Sequence, residues 1–204
     1  MDYNIHMTKN HGFTLIELIV TLAVVSIVLL TGIPALNQMT GNNRLVSQIN
    51  SIAGSLALAR SEAIKTGLVV TICTSSTGAD CTVTPWQSGW IVFTDVDKDG
   101  LVDAGTDNII RIQGALNGGT TLRLTLSTSA NNYQFSSDGS SRGTTKGTFI
   151  LCPTDSGNTA IENGRKAKAI NINLIGRNSP AQGATETSKP VFDADGDAVT
   201  CPAS

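Results

Sequence analysis

The stretch Phe13-Thr14-Leu15-Ile16-Glu17-Leu18-Ile19-Val20-Thr21-Leu22-Ala23-Val24-Val25-Ser26-Ile27-Val28-Leu29-Leu30-Thr31-Gly32-Ile33-Pro34-Ala35-Leu36 is 24 residues long and carries one charge, Glu17. As a helix it would measure about 36 Å, enough to cross a hydrocarbon core of about 30 Å. A secretory signal has a basic start, a shorter apolar stretch and a small-residue cleavage site after that stretch. Here the order is inverted: a polar leader, Met1 to Gly12 with Lys9 near its end, places a small residue directly before the apolar run. A carboxylate in a lipid-facing helix costs about 2.5–3.5 kcal/mol on insertion scales, so Glu17 calls for a partner. Pro34 cannot donate to the helical ladder, and with Gly32 beside it a kink or local melting is expected there.

Beyond this run, Leu45, Ile49, Ile52, Leu56, Ala59 and Ala63 recur at spacings of four and three, which places them on one helical face. Arg44, Gln48, Ser51, Ser55 and Glu62 fall largely elsewhere. One long helix is therefore predicted from Phe13 to about Lys65, ended by Gly67. Strand-like runs follow at Leu68–Cys73, Trp90–Thr94, Leu122–Leu126, Tyr133–Phe135, Thr148–Cys152 and Lys168–Ile175, separated by Gly, Ser, Thr and Asn clusters. Leu122, Leu124 and Leu126 alternate with polar residues, as do Ile170, Ile172 and Leu174, the mark of half-buried antiparallel strands. The fold reads as α+β: a long N-terminal helix packed on an antiparallel, β-rich C-terminal domain, without internal repeats. The expected organisation is a leader at 1–12, a membrane-spanning half of the helix at 13–36, an amphipathic half at 37–66 and a β-rich globular domain at 67–204.

The whole chain of 204 residues has a formal net charge of −2, 15% charged and 40% hydrophobic residues, enough for one domain with a real core. A disordered tail, a collagen-like rod, a miniature disulfide knot, a strongly basic nucleic-acid binder and a polytopic membrane protein are excluded. The only histidines are His6 and His11. Once the leader is cut away no imidazole remains for a Ser-His-Asp or Cys-His pair or a His-ligated zinc, so an enzyme is not expected.

The residues Gly12-Phe13-Thr14-Leu15-Ile16-Glu17 resemble the processing motif of type IV prepilins and pseudopilins. The resemblance implies cleavage between Gly12 and Phe13 by a membrane prepilin peptidase and methylation of the new Phe13 amine. Glu17 becomes the fifth mature residue, and its partner becomes the N-terminal amine of a neighbouring subunit. The segments Ala59–Cys73 and Trp90–Asp95 look like the GspH/FimT branch of minor pilins and pseudopilins. This implies a single-pass bacterial inner-membrane protein with its C-terminal domain in the periplasm, assembled with other pilins or pseudopilins into a fibre or its tip. The function expected is a minor pilin of a type IV pilus that assists assembly; the alternative is the GspH-type pseudopilin of a type II secretion system.

Asn163 to Thr185 carries Arg165, Lys166, Lys168 and Arg177 and no acid. FimT-like minor pilins of competent bacteria hold DNA with a Gly-Arg-x-Arg element, and Gly176-Arg177-Asn178-Ser179 keeps its first arginine and lacks the second. The resemblance implies weak, sequence-blind binding of double-stranded DNA through phosphates, with no aromatic residues interleaved to stack on bases. The alternative is a solvated basic edge that discourages strand pairing. Cys73, Cys81, Cys152 and Cys201 would lie on the oxidising side of the membrane, so disulfides are expected. Three pairings are open; Cys73 with Cys81 would close a short hairpin, and Cys152 with Cys201 would staple the C-terminus.

Asp95-Val96-Asp97-Lys98-Asp99-Gly100-Leu101-Val102-Asp103 places carboxylates at positions one, three, five and nine with glycine at six, as in a calcium loop, but position twelve is Thr106. The other reading is an acidic, solvated turn, and neither a metal nor a cofactor is assigned. Asp193-Ala194-Asp195-Gly196-Asp197 is a shorter echo. Gly139-Ser140-Ser141-Arg142-Gly143 matches Gly-x-Ser-x-Gly only formally, since that motif needs a base and a strand-turn-helix setting.

Overall fold

The computed structural model describes residues 13–126, 131–143, 146–153, 167–181, 192–198 and 201. The first element, α1 (Leu15–Thr66), is a single helix of 52 residues. It is helical through Pro34, so the backbone does not melt there. Gly67 ends it at φ 71°, its N–H bonded to the Ala63 carbonyl at 3.0 Å. An L side chain at that φ is strained, which is why glycine stops the helix here.

The chain divides into two compact units, Met1–Asn42 and Asn43–Ser204. Among the described residues of the second unit, eight strands follow the helix: β1 (Val69–Thr74), β2 (Trp90–Asp95), β3 (Asn108–Gln113), β4 (Thr121–Leu126), β5 (Asn132–Phe135), β6 (Gly147–Cys152), β7 (Lys168–Ile172) and β8 (Asn178–Pro180). They form two antiparallel sheets, in the orders β3-β2-β1-β5 and β4-β6-β7-β8. The first sheet has a register shift between Val92 and Phe93 where β2 meets β3.

The period of two assigns each strand's side chains to two different cores. Val70, Ile72, Trp90, Val92, Phe149, Leu151, Ile170 and Ile172 face the helix stripe Leu45, Ile49, Ile52, Leu56, Ala59 and Ala63 in the main core. Cys73, Ile91 and Phe93 point to the opposite face of the first sheet, with Cys81 and Val102 against them. Ile150, Cys152 and Ala169 do the same on the second sheet, with Cys201 and Ala181. The four cysteines form Cys73–Cys81 and Cys152–Cys201, with Cα atoms 5.7 and 5.9 Å apart. Each disulfide thus pins a covering segment to the outer face of one sheet. A 3-10 turn at Trp86–Ser88, just ahead of β2, packs on the second sheet: Trp86 meets Phe149 edge-on at 4.9 Å, and the Gln87 side chain accepts the Leu122 N–H at 3.2 Å.

Two polar residues expected off the buried face lie on it. Gln48 and Ser55 are buried. At 3.6 residues per turn they fall beside Ile52, and each finds a bond there: the Gln48 amide N–H donates to the Asn117 carbonyl at 2.7 Å, although its Oε1 is buried without a partner, and Ser55 Oγ receives the Trp90 indole N–H at 2.9 Å. The last predicted strand also differs. It ends at Ile172 rather than Ile175, because the turn 173–176 leads back into β8, and Leu174 is exposed in that turn. The strand β3 was not expected; it is an edge strand with its isoleucines only partly covered.

Candidate assembly and ligand sites

Three groups of residues were singled out by sequence, and the structure treats them differently. At the N-terminus, Gly12 lies outside the described residues, while Phe13 precedes the helix and is exposed. Thr14 caps α1, its hydroxyl accepting the Glu17 backbone N–H at 3.3 Å. Thr14-x-x-Glu17 is the sequence of a capping box, and a carboxylate in the first turn suits the positive end of the helix dipole. Every large apolar side chain described from Phe13 to Leu36 is at least half exposed, between 51% and 84%. Over the described residues no helical stretch is both long and apolar enough to cross a membrane: the run Leu15–Leu30 alone gives about 24 Å of helix. The apolar sequence continues to Leu36 within the same helix.

Of the four basic candidates, Arg165 and Lys166 lie outside the described residues. Lys168 opens β7, whereas Arg177 sits in the turn at its far end, its carbonyl opposite Asn173 and its N–H bonded to the Asn173 side chain at 2.9 Å. Five residues of strand separate the two positions, about 16 Å. They do not form one cluster.

The acidic loop after β2 is the most constructed of the three. Asp95 is fully buried, and one of its oxygens, Oδ2, accepts from Thr71 Oγ1 at 2.6 Å, Gln134 Nε2 at 2.8 Å and the Gly100 N–H at 3.1 Å. The other, Oδ1, is buried without a hydrogen-bond partner. Asp97 and Asp99 each accept a loop N–H on Oδ1, and one carboxylate oxygen from each of Asp95, Asp97 and Asp99 lies within 4.8 Å of the others. Gly100, at φ 84°, lets the loop pass under Asn132, which a Cβ would strike. Arg142 supports the same loop by donating to the Lys98 carbonyl at 3.0 Å and to Gln134 Oε1 at 2.7 Å. The Asp97 charge, followed by desolvation and the carboxylates of Asp99 and Asp107, holds the Asp103 carboxyl above its ordinary value.

Sequence reasoning missed the residues that build this loop. Asp107 accepts the Val96 and Asp103 N–H groups, each at 3.0 Å, and so closes it; a fifth acid at that spacing was the available signal. Thr71 and Gln134, cross-strand neighbours on β1 and β5, gave no local sign. The Gly-x-Ser-x-Gly segment is a turn in which Ser140 Oγ donates to Asp138 Oδ1 at 2.6 Å, and Gly139 and Gly143 take positive φ.

A prokaryotic N-terminal methylation motif matches residues 7–33. No curated protein matches the chain. Among solved structures, the type IV minor pilin FimU of Pseudomonas aeruginosa strain PAO1 is 19% identical over 72% of this chain and 95% of that one, with a TM-score of 0.53. The minor pseudopilin EpsH from the type 2 secretion system of Vibrio cholerae is 16% identical over 67% of this chain and 95% of that one, with a TM-score of 0.45. The likeness to FimU shows the pilin-like α+β fold. The family described as type II transport protein GspH matches residues 48–176, well over half the chain. The chain belongs to this GspH family, whose members are pilin-like structural proteins and not enzymes.

Proposed function

We propose that this chain is a minor pilin-like subunit that a prepilin peptidase cleaves between Gly12 and Phe13, after which the Phe13 amine is methylated. Residues 1–12 are the leader, 13–36 the membrane and fibre-core segment, 37–66 the amphipathic half of the helix and 67–204 the exported domain. The bacterial inner membrane stores the subunit through the first helical segment with the domain in the periplasm, and assembly moves that segment from lipid into the core of a type IV pilus or its tip. The observation that carries this reading is the set of large apolar side chains described between Phe13 and Leu36, which lie all round the helix and are all exposed. A helix apolar all round is stable only when lipid or other protein covers it. Glu17 sets register by pairing with the amine of an adjacent subunit, which offsets the cost of carrying a carboxylate into an apolar core. Mass spectrometry of protein recovered from native membranes tests this directly. A trimmed chain beginning at methylated Phe13 is expected; an intact leader would end the fibre account.

The family description favours a second reading, a pseudopilin of a type II secretion system. Deleting the gene separates the two: loss of surface pili supports the first, and retention of exported proteins in the periplasm supports the second. DNA binding during transformation is a finer form of the first reading. It rests on Arg165, Lys166, Lys168 and Arg177 acting through phosphates alone, so binding would be weak and salt-sensitive. The full chain in detergent micelles should retard double-stranded DNA of any sequence at about 50 mM salt, and Arg177→Ala should weaken this for all sequences alike. Absence of retardation would remove the DNA role and leave the assembly role standing.

A further inference from the structure

The chain contains two loops of similar sequence, Asp95-Val96-Asp97-Lys98-Asp99-Gly100 and Asp193-Ala194-Asp195-Gly196-Asp197. In the second loop the leading carboxylate is satisfied by its own turn: Asp193 Oδ1 accepts the Asp195 and Asp197 N–H groups at 3.0 and 2.9 Å. Asp195 also has a cation beside it, Lys146 Nζ at 3.7 Å. Nothing further is needed to explain that turn.

The first loop is different on both counts. Asp95 is held rigidly by three donors to one oxygen, yet its other oxygen is buried and has no donor. Among the described residues no lysine or arginine forms an ion pair with Asp95, Asp97, Asp99 or Asp103. A buried carboxylate with no cation paired to it directly is costly, and the neighbouring carboxylates of Asp97 and Asp99 add repulsion. Fixing an acid so firmly while leaving an oxygen empty makes physical sense when a cation fills the gap.

We propose that Asp95, Asp97 and Asp99 coordinate a divalent cation, and that the cation is calcium. The ligands are hard oxygens, and their spacing follows the calcium loop: positions one, three and five, with Gly100 at six and the carbonyl of Leu101 at seven. Asp103 at position nine supplies a further oxygen, directly or through water. Thr106 stands where the bidentate acid usually is, and Asp107 beside it is occupied with backbone N–H groups, so the coordination is completed by water. Calcium accepts such an irregular shell with six to eight ligands, whereas magnesium demands near-ideal octahedral geometry and gives up water reluctantly. A site without the twelfth-position acid belongs with extracellular modules, which bind at about 0.1–1 mM. This proposal is independent of the choice between pilus and secretion system.

The test is thermal unfolding of the full chain in detergent micelles with EDTA, 10 mM calcium chloride or 10 mM magnesium chloride. Calcium is expected to raise the midpoint by about 3–11 °C over EDTA. Magnesium at the same concentration should raise it by less than half as much. The variant Asp97→Asn/Asp99→Asn alters exposed groups and should fold, and its midpoint should no longer respond to calcium. Asp193→Asn/Asp195→Asn, in the other loop, should respond as the native chain does. A midpoint unmoved by calcium would overturn the proposal, as would a response that survives in Asp97→Asn/Asp99→Asn. Equal shifts from magnesium and calcium would also overturn it, by pointing to general screening rather than a coordinated ion.

Discussion

The two parts of α1 share a backbone and much of their residue vocabulary, yet they meet opposite surroundings. From Leu15 to Leu30 every side chain is exposed, although the residues are Leu, Ile and Val with few exceptions. From Leu45 to Ala63 the apolar residues are fewer and smaller, yet the stripe Leu45, Ile49, Ile52, Leu56, Ala59 and Ala63 is buried in the main core against both sheets. Distribution around the axis explains the contrast. A stripe can be matched by one sheet face, whereas a helix that is apolar all round needs covering on all sides, by lipid or sibling subunits. The second part therefore contributes to folding of the domain, and the first to where the subunit resides.

Substitutions can separate these two contributions. The largest expected effect is Leu56→Ala, which removes a fully buried side chain and should cost about 2–5 kcal/mol. Leu22→Ala, chemically the same change, should leave that transition unmoved. Both tryptophans, Trp86 and Trp90, lie in the β-rich unit, so denaturant unfolding of the full chain in micelles followed by tryptophan fluorescence reads that unit alone. Equal losses from both variants would break the distinction.

The reciprocal experiment is Leu22→Arg, which places a second charge in the apolar run. Its cost is about 2.5–3.5 kcal/mol on insertion scales, paid in the membrane and not in the domain. Fractionation should show the protein leaving the membrane and absent from assembled fibres, with its fluorescence transition unchanged.

How far the sequence revealed these roles depends on how local the determining forces are. The stripe Leu45 to Ala63 was legible because helical periodicity is local, and so was the alternation in β4. The burial of Gln48 and Ser55 was not, since it depends on Asn117 and Trp90 arriving from elsewhere in the chain. Asn108-Ile109-Ile110-Arg111-Ile112-Gln113 hid its strand because an edge strand opposite a register shift keeps no clean inside and outside. The carboxylates of the acidic loop were visible in sequence, but the reason to expect a cation was not. It arises from Thr71 and Gln134 saturating one oxygen of Asp95 while the other stays empty, a relation that exists only after β1, β2 and β5 pair.

Ser55 sharpens the contrast further, because it is a polar residue on the buried part of the helix. Ser55→Ala leaves the Trp90 indole N–H buried without an acceptor and should cost about 1–3 kcal/mol in the same fluorescence assay. Ser26, at a comparable point in the apolar part, donates to the Leu22 carbonyl of its own helix and accepts nothing across a core. Ser26→Ala should therefore leave domain stability unchanged.

The smallest effect belongs at the end of the helix, where Lys65 pairs with Glu62 at 3.2 Å. The lysine is largely exposed and the pair spans one helical turn, a geometry in which ion pairs contribute about 0.2–0.5 kcal/mol. Lys65 also stands in the last turn, where a positive charge meets the negative end of the helix dipole, adding about 0.3–1 kcal/mol that salt screens. Lys65→Ala should thus lower stability by at most about 1.5 kcal/mol, and the loss should shrink as salt is raised. The Leu56→Ala loss should persist at high salt, because area removed from water is not screened. A Lys65→Ala loss as large as that of Leu56→Ala, and equally insensitive to salt, would show that the final turn and not the apolar stripe fastens the helix to the sheets.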